Sequence, residues 1–155
     1  MSERRISDKE IMKIHLERFL IIGSLRTGYE LTRYFFDLLP DIGSINLYLS
    51  VLAIYGTGQL LDWITTAIGI INNKKLNKYV SSDIYELNPL LPQKPEIIDL
   101  FNPRLIISNT VDLIESMIFP PYGLLVKTPS KYRAVFSNIG LIKQKRRLIE
   151  KYSKG

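Results

Sequence analysis

The stretch that decides the fold is the apolar segment IGSINLYLSVLAIYGTGQLLDWITTAIGIINN, residues 42–73. Its 32 residues contain a single charged side chain, Asp62. Helices of soluble proteins rarely run for so long without a charged face. Because about 20 apolar helical residues cross a hydrocarbon core of ~30 Å, the segment predicts a membrane-spanning helix. A buried helix of a globular domain is the alternative.

A second apolar segment, residues 105–126, contains only two charged side chains, Asp112 and Glu115. It predicts a second span, although two carboxylates oppose insertion into a bilayer. The proline-containing connection between the two segments predicts at most one short helix or re-entrant element. The chain therefore predicts an all-α fold: a small helical membrane protein with two to three hydrophobic helices.

The two ends of the chain differ from this apolar middle. Residues 1–40 mix charged and apolar side chains, which predicts an amphipathic helix that Ser7 or Asp8 caps and Pro40 ends. Residues 127–155 contain nine basic side chains against one acidic one, so the net charge of +6 arises in this tail. We therefore divide the chain into an amphipathic N-terminal helix (1–40), a membrane-embedded core (41–126) and a basic helical tail (127–155).

Several classes of protein are excluded by composition. The 155 residues include no cysteine, so disulfide frameworks, thiol nucleophiles and thiolate metal sites are absent. The single histidine, His15, argues against a multi-histidine metal centre or a Ser/His hydrolase. No phosphate-binding loop or dinucleotide fingerprint occurs. The sequence thus predicts no cofactor and supports no enzyme class.

Each apolar segment carries a polar stripe whose members recur every three or four residues, and such residues share one face of a helix. Lipid cannot solvate these groups, so the two stripes are expected to face each other. Their carboxylates would then form an intramembrane cluster that binds a hard cation, transfers protons or holds a cationic substrate. The alternative is that they only form hydrogen bonds and specify packing. The candidate residues are Gln59, Asp62, Thr65, Thr66, Asn109, Asp112 and Glu115.

One pattern resembles a known family. Asp62-Trp-Ile-Thr65-Thr66, followed by Glu86-Leu-Asn88-Pro89, resembles the D-x-x-T-T and E-x-N-P motifs of small uncharacterised archaeal and bacterial integral membrane proteins. The resemblance covers about thirty residues. It implies a membrane protein and adds Glu86 and Asn88 to the candidate polar cluster, but it implies no reaction.

The basic tail predicts the orientation and the partners of the protein. Cytoplasmic segments of membrane proteins carry an excess of Lys and Arg, so a multi-pass cell-membrane protein with a cytoplasmic tail is expected. Clusters of this kind bind anionic lipid head groups. The alternatives are a merely solvated tail and nucleic acid, for which no binding signature is present. The residues concerned are Lys143, Lys145, Arg146, Arg147 and Lys151.

The functional prediction is a structural or accessory subunit of a larger membrane assembly, anchored by its polybasic tail. Small residues in the first apolar segment, such as Gly56 and Gly58, permit close contacts with protein partners or with further copies of the chain. One alternative is a virion or coat-type helical protein that contacts lipid or nucleic acid. The other is a membrane ion or proton carrier, or a membrane enzyme, that uses the carboxylate cluster.

Overall fold

The computed structural model describes residues 7–36, 39–80, 90–92 and 94–153. Every regular element in these ranges is helical, which confirms the all-α prediction. Two π-helical segments, Val51–Tyr55 and Gly123–Lys127, and a 3₁₀ helix, Ile97–Phe101, lie between the α-helices. In chain order the α-helices are α1 (Asp8–Phe36), α2 (Ile45–Ser50), α3 (Gly56–Leu76), α4 (Pro103–Ile118), α5 (Pro120–Tyr122) and α6 (Thr128–Ser153).

The start of α1 is fixed by a reciprocal cap, and Ser7 is the one of the two predicted caps that provides it. The amide and hydroxyl groups of Ser7 both donate to the Glu10 carboxylate, at 2.8 and 2.9 Å. The Glu10 amide donates in return to Ser7 Oγ at 3.2 Å. This pattern is a capping box, which satisfies amides that a helix leaves without partners in its first turn. The hydrogen bonds from Ser7 also lower the pKa of Glu10.

The apolar segment 42–73 does not form one regular α-helix. The chain is helical from Ile45 to Leu76, but it changes from α- to π-helical hydrogen bonding over Val51–Tyr55. Val51 and Tyr55 are fully buried, and this π-helical segment packs against the second one, Gly123–Lys127. The change of register therefore lies at a packing contact of the fold.

The described ranges hold no helix with both the length and the apolar character needed to cross a bilayer. The structure thus gives no support to the two predicted spans. α4 has 16 residues, about 24 Å at 1.5 Å per residue, which is shorter than a hydrocarbon core. Phe119 leaves the helical conformation before Pro120, and this divides the second apolar segment.

The chain forms two compact units. Unit 1 comprises Met1–Thr57 and Ser108–Ser130, and unit 2 comprises Gly58–Ile107 and Lys131–Gly155. Among the described residues, unit 1 buries a small apolar set that includes Ile22, Ile42, Val51 and Tyr55. The core of unit 2 is formed by Ile70, Leu91, Leu100 and Leu105.

One close approach inside unit 1 requires glycine. A Cβ atom added to Gly123 would lie 2.7 Å from the carbonyl oxygen of Ser116 and 2.8 Å from the Ser116 Cβ atom. Ser116 is itself fully buried and donates a 2.8 Å hydrogen bond to the carbonyl of Asp112. The second π-helical segment therefore packs on α4 at a distance that only glycine permits.

Candidate functional site

The side of α1 that packs against the rest of unit 1 carries charged side chains. His15 Nδ1 lies 3.4 Å from Glu115 Oε1, and Arg18 Nη1 lies 3.5 Å from Asp112 Oδ1. Further along the helix, Arg26 donates a 2.7 Å hydrogen bond to the last carbonyl of α4. These inward positions recur every three or four residues and so share one face of α1. They are Ile11, His15, Ile22, Arg26, Tyr29 and Arg33, all buried or partly buried, and the exposed Arg18 lies at the edge of this face.

Glu115 and Lys127 form the centre of a charge cluster, which we define as His15, Arg18, Asp112, Glu115 and Lys127. Glu115 is fully buried, and the Lys127 side chain is only 10% exposed. Lys127 Nζ lies 3.0 Å from Glu115 Oε2 and also contacts Asp112 Oδ1. A buried carboxylate is costly unless a cation replaces its water, so Lys127 stabilises Glu115 inside the fold. Apart from His15, the charges of the two carboxylates balance those of Arg18 and Lys127.

Three members of the charge cluster are also suitable metal ligands. His15, Asp112 and Glu115 offer ligand atoms that lie within 4.8 Å of one another. Imidazole nitrogen and carboxylate oxygen together suit a divalent transition metal. The Lys127 ammonium, however, already contacts both carboxylates. A metal would have to displace it, so the arrangement is an ion-pair network that joins α1, α4 and the second π-helical segment.

The polar stripe predicted on α4 lies in unit 1. Glu115 is fully buried there, and Asn109 and Asp112 are half-buried. The sequence predicted the stripe of α3 as the partner of this stripe. In the structure, Asp112 and Glu115 contact the basic groups of the charge cluster, whereas Asp62 on α3 belongs to unit 2.

The α3 stripe has its own partners in unit 2. The side-chain amide of Asn138 on α6 lies 3.2 Å from Asp62 Oδ1 and from Thr65 Oγ1, and 3.4 Å from Thr66 Oγ1. Lys131 Nζ lies 3.9 Å from Asp62 Oδ2. An amide group has two hydrogens to share among these three acceptors. The polar groups that the family resemblance singled out on α3 thus join that helix to α6.

The remaining predicted residues are distributed differently. Gln59 on α3 has buried amide atoms without a hydrogen-bond partner in the part of the chain that the structure describes. Glu86, Asn88 and Pro89 lie outside the described residues, so the second half of the resembling pattern has no structural description. The predicted lipid- or nucleic-acid-binding residues all lie on one continuous helix, α6: Lys143, Lys145, Arg146, Arg147 and Lys151.

The sequence pattern does not predict three of the participants: His15, Lys127 and Asn138. As the single histidine of the chain, His15 indicates no site by itself. Lys127 belongs to the basic tail by composition, yet it is the first charged residue after Glu115 and directly follows an apolar run. The available signal in the sequence is the position of Lys127, a single cation directly after the apolar segment that contains Asp112 and Glu115. This position indicates that Lys127 pairs with one of these carboxylates.

Comparison with known proteins identifies no relative. No protein-family model, curated protein or solved structure matches this chain. The resemblance to the D-x-x-T-T family therefore stays a prediction.

The outer face of α1, which we define as its exposed residues from 19 to 35, has the opposite chemistry to the inward face. Every residue classed as exposed between Phe19 and Phe35 is uncharged. Leu20 is 65% exposed and Tyr34 82%. The charged side chains of this stretch, Arg26, Glu30 and Arg33, are each about one-third exposed and are paired, Arg33 with Asp41 at 3.0 Å. Along about 25 Å of helix, the most exposed side chains of α1 are thus uncharged and mostly apolar, while the charged ones are partly covered and paired.

Proposed function

We propose that this protein is a structural subunit of a membrane-associated assembly, and that α1 lies at the membrane with its outer face in contact with lipid. The observation that carries the proposal is the reversed polarity of α1 between residues 19 and 35. A surface helix of a soluble domain directs its apolar stripe inward and its charges outward. Here every side chain classed as exposed is uncharged, while the charged side chains are paired and about one-third exposed.

The size of the outer face supports an apolar partner. Soluble monomers rarely expose contiguous apolar patches beyond a few hundred Å². The outer face includes Leu20, Leu25 and Leu31, each at least half exposed. Transfer of one such side chain from water to an apolar phase is favourable by about 1.5–3 kcal/mol. Several of them together supply enough free energy to hold a helix at a membrane.

The shape and composition of the outer face favour lipid. Tyr34 and Phe35 form an edge-to-face pair with ring centroids 5.3 Å apart, and tyrosine is enriched at membrane–water interfaces. An open groove of about 730 Å³ lies along α1 beside Phe119. Its walls include Leu20, Leu25 and Phe119, so they match the chemistry of an acyl chain.

The charge cluster has a defined part in this proposal. The two carboxylates of α4, both of which contact Lys127, pair with His15 and Arg18 of α1. These contacts fix the rotation of α1 about its own axis. They therefore determine which side chains of α1 point outward. In this proposal the cluster has a structural role and no catalytic one.

The proposal is tested by vesicle flotation of the double variant Leu20→Gln/Leu31→Gln. Both leucines are more than half exposed, so the fold should persist while the outer face becomes polar. We expect binding to neutral phosphatidylcholine vesicles to fall about tenfold or more, since each change removes roughly 1 kcal/mol of apolar transfer free energy. Circular dichroism checks that helix content is unchanged.

The matched control is Lys13→Gln/Glu17→Gln, which introduces the same residue twice on α1 at exposed positions and keeps the net charge. It should bind vesicles like the wild type. A wild-type chain that fails to float, or a leucine variant that floats as well as the control, would contradict the proposal. If the wild type forms an oligomer and binds no vesicles, and the leucine variant is monomeric, the outer face is a protein interface, as in the coat-type alternative.

A further inference from the structure

The part of α6 that belongs to unit 2 has two chemically distinct exposed ridges. The first, the basic ridge, contains Lys143, Arg147 and Lys151, which follow one another at intervals of four residues and so lie along one side of the helix. All three are exposed. Phe136, 69% exposed, precedes Lys143 by two helical turns in the same row. Glu150 is the single acidic residue of the helix.

The second, the apolar ridge, contains Leu141, Leu148 and Tyr152 at intervals of seven and four residues. These side chains are 43%, 41% and 45% exposed. The inward face of α6 is occupied by other residues, such as Val135 and Ile142, which are buried. Both ridges therefore lie on the half of the helix that points away from the core of unit 2.

We propose that these two ridges form a docking surface for an anionic lipid bilayer, in which the basic ridge contacts head-group phosphates and carboxylates and the apolar ridge enters the acyl boundary. The inference rests on the proposed membrane association and names the lipid charge that unit 2 recognises. Interfacial helices combine a basic face with an apolar one in this way. Lys and Arg at such a helix keep their charges in the head-group layer while their stems cover apolar surface.

Nucleic acid fits this surface less well. Phosphates would satisfy the basic ridge, and bases would stack on Phe136 or Tyr152. Leu141 and Leu148, however, would stay in water against a polar phosphate backbone. Only a bilayer offers an anionic layer and an apolar layer side by side, so the observed pairing of ridges favours lipid.

The experiment compares the full-length chain on phosphatidylcholine vesicles with and without phosphatidylserine. Each Lys or Arg near an anionic surface strengthens binding about fivefold at low salt. The basic-ridge variant Lys143→Gln/Arg147→Gln/Lys151→Gln should therefore lose about 100-fold of the preference for anionic over neutral vesicles. The wild-type preference should decrease steeply as salt rises.

The matched control is Lys74→Gln/Lys75→Gln/Lys78→Gln, which removes the same three positive charges from other exposed sites of unit 2. It should retain nearly the full preference. Equal losses in both triple variants would mean that only net charge matters and would overturn the proposal. The proposal would also be overturned if the wild-type chain and its variants all bound anionic and neutral vesicles equally well.

A third variant, Leu141→Gln/Leu148→Gln, separates lipid from nucleic acid. It should weaken binding to anionic vesicles and leave any binding to mixed-sequence DNA unchanged. Two results together would overturn the proposal and assign the surface to nucleic acid. The basic-ridge variant would lose binding to DNA, and both α6 variants would bind vesicles like the wild type. The preference for anionic over neutral vesicles is a ratio in which the contribution of the outer face of α1 cancels. Loss of binding to neutral vesicles in the Leu20→Gln/Leu31→Gln variant and loss of the anionic preference in the basic-ridge variant are therefore distinguishable.

Discussion

Replacement of Lys127 by methionine is expected to destabilise unit 1 by about 3–5 kcal/mol, the typical cost of removing one partner of a buried ion pair. Glu115 has no exposed surface, and Lys127 Nζ lies 3.0 Å from its Oε2 atom. Methionine matches the length of lysine but supplies no charge. The variant would leave the Glu115 carboxylate buried without a nearby full cation, since Arg18 pairs with Asp112. Urea denaturation followed by circular dichroism measures the loss.

Two comparisons make the Lys127 result specific. Lys13→Met is the same substitution in the same unit, at a side chain that is 75% exposed, and should cost no more than ~0.5 kcal/mol. The double variant Glu115→Gln/Lys127→Met should recover part of the loss because it removes both charges. A Lys127→Met protein as stable as Lys13→Met would contradict the charge cluster.

Replacement of Gly123 by alanine is expected to cost about 1–3 kcal/mol, the usual range for overpacking a tight contact. The new Cβ atom would lie 2.7 Å from a backbone oxygen of Ser116, and backbone atoms in α4 cannot move aside as a flexible side chain can. The second π-helical segment would have to shift, and Lys127 would shift with it. Thermal denaturation should therefore show a lower Tm.

Gly28→Ala is the control for Gly123. Gly28 lies in α1 of the same unit, and nothing lies within 4 Å of a Cβ atom built there. Alanine is the better helix former by about 1 kcal/mol, so this variant should be as stable as the wild type or more stable. If Gly123→Ala behaves like Gly28→Ala, the close approach of the π-helical segment to α4 is wrong.

The sequence predicted the helical class and the start of α1 because these depend on local chemistry. Apolar periodicity is typical of helices, and Ser7 with Glu10 three residues later is a capping signal. Hydropathy also identified residues 42–73 as one apolar run. It could not predict the change to π-helical hydrogen bonding at Val51–Tyr55, because that change lies at a contact with Gly123–Lys127, about 70 residues away in the chain.

The candidate site was predictable only in part, for a related reason. Spacing along α4 placed Asp112 and Glu115 on one face, but spacing contains no information about which cation lies opposite. His15 and Lys127 come from distant parts of the chain and meet Glu115 only after folding. For α1, apolar residues occur around most of the helix, so the pattern predicted an amphipathic helix but not which side faces the protein.

The outer face of α1 is tested most directly by spin labels at two positions on vesicle-bound protein. The chain has no cysteine, so Leu20→Cys and Lys13→Cys each give a single labelling site. We predict that the label at position 20 collides with oxygen and is shielded from a water-soluble nickel chelate, while the label at position 13 shows the reverse. Equal exposure of both labels to the nickel chelate would contradict contact between this face and lipid.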